Sequence, residues 1–104
     1  MTVTKGEFLQ EKMHNMRVWL LEEFKRENRA CAQLPLVTEM EACYLADSLL
    51  PHERAIGNRN FVSLSQDKQL DASFREVLAQ IQATPAMHDK FWRYVDLFLC
   101  VAKQ

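Results

Sequence analysis

Apolar residues recur at the three- and four-residue spacing of an α-helix in four separate segments of the 104-residue chain. The first segment carries one narrow apolar stripe, formed by Leu9, Met13, Met16, Leu20 and Phe24. Thr4 and Glu7 have the spacing of a capping box, in which the threonine hydroxyl accepts a hydrogen bond from a backbone N–H of the first turn. Because nothing interrupts the pattern before about Asn28, we expect the first helix to run from Thr4 to about Asn28.

A second helix is expected between Thr38 and Pro51. Thr38 and Glu41 repeat the capping-box spacing, and Pro51 ends the pattern because it has no N–H to donate. Apolar side chains occupy much of the circumference of this helix, at Met40, Cys43, Tyr44, Leu45, Leu49 and Leu50. A helix that is apolar on most sides is typical of a protein interior, so we expect it to be well buried.

A third helix is expected to begin at Ser63, because Ser63 and Gln66 again fit the capping pattern. The clearest amphipathic stripe in the chain follows, at Leu70, Phe74, Val77, Leu78 and Ile81. Between the second and third helices, residues 52–56 are expected to form one helical turn. Gly57 would end that turn with a positive φ, as glycine often does after a helix.

The fourth segment begins at Thr84 and Pro85, which are typical of an N-cap and of a first helical position. Its main apolar stripe comprises Met87, Phe91, Tyr94, Val95, Phe98 and Ala102. A second stripe adjoins the first, at His88, Trp92, Val95 and Leu99. Only a narrow polar strip remains, so we expect this helix to expose apolar surface on a single chain.

Together these segments predict an all-α fold, with residues 1–104 forming a single helical domain. Two glycines and three prolines are too few to punctuate a many-stranded sheet. The composition, 48% hydrophobic and 26% charged, is that of a globular protein and argues against disorder. Because the connections differ in length, we expect an irregular or orthogonal bundle of four main helices, with one additional short helical turn near Pro51.

The predicted helices carry more apolar surface than their main stripes need. Val18 and Leu21 lie outside the stripe of the first helix, and His88, Trp92 and Leu99 belong to the second stripe of the fourth. Large aromatic residues dominate the energetics of protein interfaces. We therefore expect these five residues to form an interface, with a second copy in a homodimer or with a partner protein. The alternative is that they pack against other helices of the same chain.

Residues that bind metals or act as nucleophiles are widely spaced. Cys31 and Cys43 are twelve residues apart, and the imidazoles available to join them are His52 and His88. Zinc sites instead use close ligand pairs on short loops. Cys43 and Cys100 are expected to face the core, and the chain contains neither a glycine-rich phosphate loop nor a hydrolase motif. We expect no metal, no cofactor and no enzymatic activity.

DNA binding is the alternative function, and it would use residues 54–69. Arg54 and Arg59 offer contacts to phosphates, and polar residues at the start of the third helix offer contacts to base edges. Asp67 and Asp71 would repel phosphates on the same surface. With a formal net charge of −1, the chain has no general attraction to nucleic acid, so we expect no nucleic-acid partner.

By elimination, the sequence indicates a small regulatory or adaptor protein that binds another protein through an apolar helical face. A specific form is an anti-activator that masks the dimerisation surface of a transcription factor, since a competing helix mimics an apolar face of this kind. No apolar run reaches the roughly 18 residues of a membrane span, and the first residues lack the pattern of a signal peptide. We therefore expect a cytoplasmic protein that has no membrane partner.

Overall fold

The computed structural model describes residues 3–23, 37–68 and 70–104, and of Ser73 it describes the backbone alone. Within these ranges four α-helices have ten or more residues and two have five. Their bounds are α1 Lys5–Glu23, α2 Glu39–Ser48, α3 Glu53–Gly57, α4 Phe61–Ser65, α5 Ala72–Gln82 and α6 His88–Ala102. The 3-10 turns Leu50–His52 and Pro85–Met87 precede α3 and α6. The predicted all-α bundle of four main helices is therefore confirmed.

Helices α1 and α2 begin at the two predicted capping residues. The Thr4 hydroxyl accepts a hydrogen bond from the Glu7 N–H at 3.1 Å, and the Thr38 hydroxyl accepts one from the Glu41 N–H at 3.1 Å. The two helices pack against each other, and they meet closely because Gly6 has no side chain: a Cβ there would lie 3.0 Å from the Glu39 Cβ. The predicted end of the first helix near Asn28 lies outside the described residues.

The third helix differs from the prediction, because residues 63–81 form two helices and not one. Asn60 caps α4, where its side chain accepts from the Ser63 N–H at 3.1 Å, so Ser63 lies inside this helix. Asp71 caps α5, where its side chain accepts from the Phe74 N–H at 3.2 Å. The two caps separate α4 from α5, since short polar side chains compete for backbone N–H groups and favour helix starts.

The turn after Pro51 also differs from the prediction in one respect. Gly57 does not have a positive φ, and it is the last residue of α3. The left-handed residue is Arg59, with a φ of 54°. The Arg59 N–H donates to the Ile56 carbonyl at 3.0 Å and the Asn60 N–H donates to the Ala55 carbonyl at 2.9 Å. These two bonds form a Schellman motif, with an arginine where glycine is most common.

Helix α6 lies at the centre of the fold and contacts α1, α2, α3 and α5. It begins at His88 and not at the predicted cap, because the Thr84 hydroxyl donates to the Gln80 carbonyl at 3.1 Å instead of capping α6. Among the described residues, the largest fully buried side chains are Phe91 and Phe98 of α6, with Leu9, Leu20, Leu49, Ile56, Leu64, Leu78 and Ile81 from the other parts of the fold. Among the described helices, none combines the length and apolarity that crossing a bilayer requires.

Candidate functional site

An apolar groove of about 540 Å³ runs between α1, α2 and the start of α5. Helix α1 forms one wall, helix α2 forms the other, and the first turn of α5 closes one part. The lining residues are Met13, His14, Met16, Arg17, Val37, Met40, Glu41, Tyr44, Leu45, Ser48, Asp71 and Phe74. Gln10 fixes the entrance of α2 against α1, since its side-chain amide donates to the Val37 carbonyl at 2.9 Å. We call this feature the α1–α2 groove.

Helix α2 presents its largest apolar side chains to solvent along this groove. Met40 is 82% exposed and Tyr44 is 75% exposed. The expectation that these two residues are buried is wrong. The buried residues of this segment are Ala42, Ala46 and Leu49, because small side chains allow α2 to approach its neighbours closely. Met40 and Tyr44 lie one helical turn apart on another face, where the described part of the chain leaves them uncovered.

Of the five residues predicted to form an interface, Val18 has the most exposed side chain. It is 50% exposed and lies one turn after His14 on the same face of α1, next to the groove. Leu21 is half-buried and packs against the core. The exposure of Val18 agrees with its position outside the main stripe, whereas its role in an interface stays a prediction.

The second apolar stripe of α6 is not exposed surface, which corrects the expectation for that helix. Trp92 is 5% exposed and Leu99 is 8% exposed. The Phe61 ring of α4 lies 4.7 Å from the Trp92 ring and 4.8 Å from the His88 ring, between centroids. His88 is half-buried, and its Nε2 lies 2.8 Å from the Ile81 carbonyl oxygen. Residues 53–65, where the sequence predicts one helical turn and the start of the third helix at Ser63, therefore cover His88 and Trp92 within one chain.

Arg59 holds this covering segment in place. Its guanidinium lies 5.2 Å from the centroid of the Trp92 ring. It also forms a bidentate pair with Asp96, at 2.7 Å from Nη1 to Oδ1 and 2.9 Å from Nη2 to Oδ2. The hydrogen bond to Asp96 raises the pKa of the Arg59 guanidinium. We call Arg59, Phe61, His88, Trp92 and Asp96 the closed face.

These contacts add no support for the DNA-binding hypothesis. Arg59, one of its two candidate phosphate contacts, is paired with Asp96. Asp67 lies 2.6 Å from the His52 imidazole, between Oδ2 and Nε2, and adds negative charge to the same segment. Arg54 is exposed. DNA binding through residues 54–69 stays a prediction.

The described residues also locate most candidates for metal binding and nucleophilic chemistry. In residues 3–23, 37–68 and 70–104, no three His, Cys, Asp or Glu side chains are grouped as a metal site requires. Cys31 lies outside these ranges. Cys43 is half-buried and Cys100 is exposed, and both thiols are free. The expectation that Cys100 faces the core is therefore wrong.

The two walls of the α1–α2 groove differ in charge. Helix α1 contributes the basic side chains His14 and Arg17 to the lining, whereas α2 contributes Glu41. The His14 Nε2 is buried and has no hydrogen-bond partner among the residues that the structure describes. A buried polar atom without a partner is unusual in native proteins, so His14 is a polar position in an otherwise apolar part of the α1 wall.

The exposure of Met40 and Tyr44 was not predicted from the sequence, although the sequence contains one signal for it. Ala42, Ala46 and Leu49 have the spacing i, i+4, i+7, which indicates an inward face distinct from the apolar face that carries Met40 and Tyr44. Comparison with protein-family models, with curated proteins and with solved structures finds no significant match. A function is therefore inferred from the two faces described above.

Proposed function

We propose that this protein is a small non-enzymatic regulator or adaptor whose α1–α2 groove binds an apolar helix of a partner protein. The observation that carries the proposal is the position of Met40 and Tyr44, which are 82% and 75% exposed along an apolar groove of about 540 Å³. Soluble proteins seldom expose adjoining large apolar side chains unless the patch binds something. A helix lying in a groove is a common way of binding such a patch.

The chemistry of the groove suits an amphipathic helix. Met13, Met16 and Met40 line it, and the flexible thioether side chain adapts its shape to different apolar ligands. Tyr44 and Phe74 add aromatic surface, which contributes strongly to binding energy. A polar group of the partner would satisfy the buried His14 Nε2. The partner segment is therefore a helix with an apolar stripe and polar flanks.

In the specific form that we propose, the partner is a transcription factor and the protein is an anti-activator. Helices that mediate dimerisation carry an apolar stripe that is buried only in the dimer. A groove that takes up such a stripe leaves the transcription factor monomeric. The support for this form is the apolar lining of the groove, which suits the apolar stripe of a dimerisation helix.

Photocrosslinking in the native cell tests the proposal. The residue replaced by p-benzoylphenylalanine is Tyr44 in one variant and Val62 in the control, because Val62 is 47% exposed on α4, away from the groove. We expect a covalent adduct with a different protein from position 44 but not from position 62, with the crosslink on the apolar face of a helix. No adduct with another protein at position 44, or the same adduct from both positions, would contradict the proposal.

The anti-activator form has a further test once the adduct is identified. If the crosslinked protein is a transcription factor, sedimentation of the purified factor measures its dimer with and without this protein. We expect its dimer to dissociate as wild-type protein is added, and to persist when the Tyr44→Asp variant is added. If the transcription factor stays dimeric when it is bound, the anti-activator form is contradicted. The proposal that the protein is an adaptor then remains.

A further inference from the structure

We propose that in the free protein the α1–α2 groove is occupied by helix α2 of a second copy of this chain, in a two-fold symmetric dimer. The proposal goes beyond the proposed function because it requires no other protein. In this dimer each chain provides both the groove and the helix that fills the groove of its partner. A two-fold axis produces two identical contacts of this kind.

Helix α2 has the features of a ligand for this groove. Met40 and Tyr44 are spaced four residues apart and project from the wall of the groove, which is the spacing of apolar anchors in helix-in-groove binding. A projecting ridge therefore stands directly beside an apolar groove on the same surface. When two copies face each other across a two-fold axis, the ridge of each one meets the groove of the other.

The charges of the two walls are complementary across such a dimer. Residues Glu39–Ser48 contain three acidic side chains, Glu39, Glu41 and Asp47, and no basic one. The α1 wall carries His14 and Arg17, and the arginine keeps its positive charge at any physiological pH. Glu41 and Asp47 of one chain thus lie near Arg17 of its partner, and the two-fold axis repeats this attraction.

The exposed surface of α1 continues this interface beyond the groove. Val18 is 50% exposed and lies on the same helical face as His14. It extends the apolar surface from the groove by one turn of α1. The dimer therefore buries the exposed apolar residues of both α1 and α2, and Val18 belongs to the interface in this arrangement.

Dimerisation in this form hides the surface that a partner protein needs. This consequence rests on the proposed function, since it requires that the groove also binds a partner helix. Self-association and partner binding then exclude each other. The concentration of the protein sets how much of it is free to bind.

Sedimentation equilibrium of the purified full chain tests the dimer. We expect the wild type to form dimers, and Tyr44→Asp to raise the dimer dissociation constant at least about 30-fold, because a buried aromatic anchor is lost in each of two contacts. Val62→Asp is the matched control, since it places the same charge on another exposed apolar residue, and it should leave the constant unchanged. Circular dichroism should show unchanged helicity in both variants.

A charge exchange tests the orientation of the dimer. Asp47 lies three residues after Tyr44 on the same face of α2 and is exposed. We expect Asp47→Lys alone and Arg17→Glu alone to weaken the dimer, and the double variant to recover much of the loss. Asp47→Lys does not threaten the fold, because a basic residue suits the last turn of a helix. If Arg17→Glu loses helicity, the dimer dissociation constant of Asp47→Lys is measured at increasing salt concentration. We expect this constant to depend less on salt than the constant of the wild type, because the variant lacks one attraction between charges.

Each outcome bears on one proposal. A chain that stays monomeric at high concentration, or a dimer that Val62→Asp weakens and Tyr44→Asp does not, overturns the dimer proposed here. Neither result affects a crosslink from position 44 to another protein. Conversely, a groove-mediated dimer without any adduct to another protein supports this inference and contradicts the proposed function.

Discussion

The closed face and the α1–α2 groove are two apolar surfaces of the same molecule, and they differ in whether the folded chain covers them. On the closed face, Phe61 and Arg59 cover Trp92, which is 5% exposed. Along the groove, Tyr44 is 75% exposed although its helix is also rich in apolar residues. The apolar pattern of a helix therefore shows which side chains avoid water, but it does not show which element covers them.

The cover of the closed face depends on local backbone geometry. Residues 53–65 fold back over α6 because the Schellman motif at Arg59 ends α3 and Asn60 starts α4 immediately afterwards. No described element covers Met40 and Tyr44 in the same way. The difference between the faces thus comes from the segment that packs over each helix and not from the helices themselves.

The largest expected effect separates the two faces by stability. Replacing Trp92 by Ala should lower the free energy of unfolding by about 3–5 kcal/mol, because a large buried aromatic leaves a cavity. Replacing Tyr44 by Ala should change it by no more than about 0.5 kcal/mol, since the side chain is exposed. Urea unfolding at a protein concentration that keeps the chain monomeric measures both values. Equal losses would remove the distinction between the faces.

The next effect concerns the left-handed residue of the closed face. Arg59→Ala and Arg59→Gly both lose the contacts with Asp96 and Trp92. The glycine variant relieves the backbone cost of a positive φ, so we expect it to be about 1 kcal/mol more stable than the alanine variant. Chemical denaturation of the pair measures this difference. If alanine is as stable as glycine, Arg59 does not hold the left-handed conformation in solution.

A smaller effect compares the two glycines of the chain, Gly6 in α1 and Gly57 in α3. Gly57 is helical, and a Cβ added to it would meet no atom within 4 Å, so Gly57→Ala should raise the free energy of unfolding by about 0.5–1 kcal/mol. Gly6→Ala should give a smaller gain or a loss, because its Cβ would lie 3.0 Å from the Glu39 Cβ. Thermal and urea unfolding of both variants tests the contrast, and equal gains would mean that α1 and α2 are not closely packed there.

The smallest expected effect is a loss of folding stability at alkaline pH. Burial raises the pKa of the Tyr94 phenol above its ordinary value of 10.0. The folded chain then keeps this proton at a pH where the unfolded chain has lost it, so stability falls as the pH rises from the unfolded pKa to the folded one. Tyr94→Phe should remove this part of the fall. Urea unfolding of both proteins on either side of about pH 10 measures it.

The sequence predicts the elements well where the signal is local. The hydroxyls of Thr4 and Thr38 cap α1 and α2 as their spacing indicates, and the stripe of α5 is buried as its periodicity indicates. The break between α4 and α5 was not predicted, because the capping pattern at Ser63 indicated a single helix start, whereas Asn60 and Asp71 cap two separate helices. The groove was not predicted, because the exposure of Met40 and Tyr44 depends on contacts between distant parts of the chain.

The central position of α6 has a consequence for biosynthesis. A ribosome makes residues 88–102 after it has made α1, α2, α3 and α5, which all pack on this helix. Until α6 is available, the apolar sides that these helices turn toward it stay uncovered, although α1 and α2 also pack against each other, and exposed apolar surface makes a folding chain prone to aggregate. The domain therefore completes its tertiary structure only after residues 88–102 have been made.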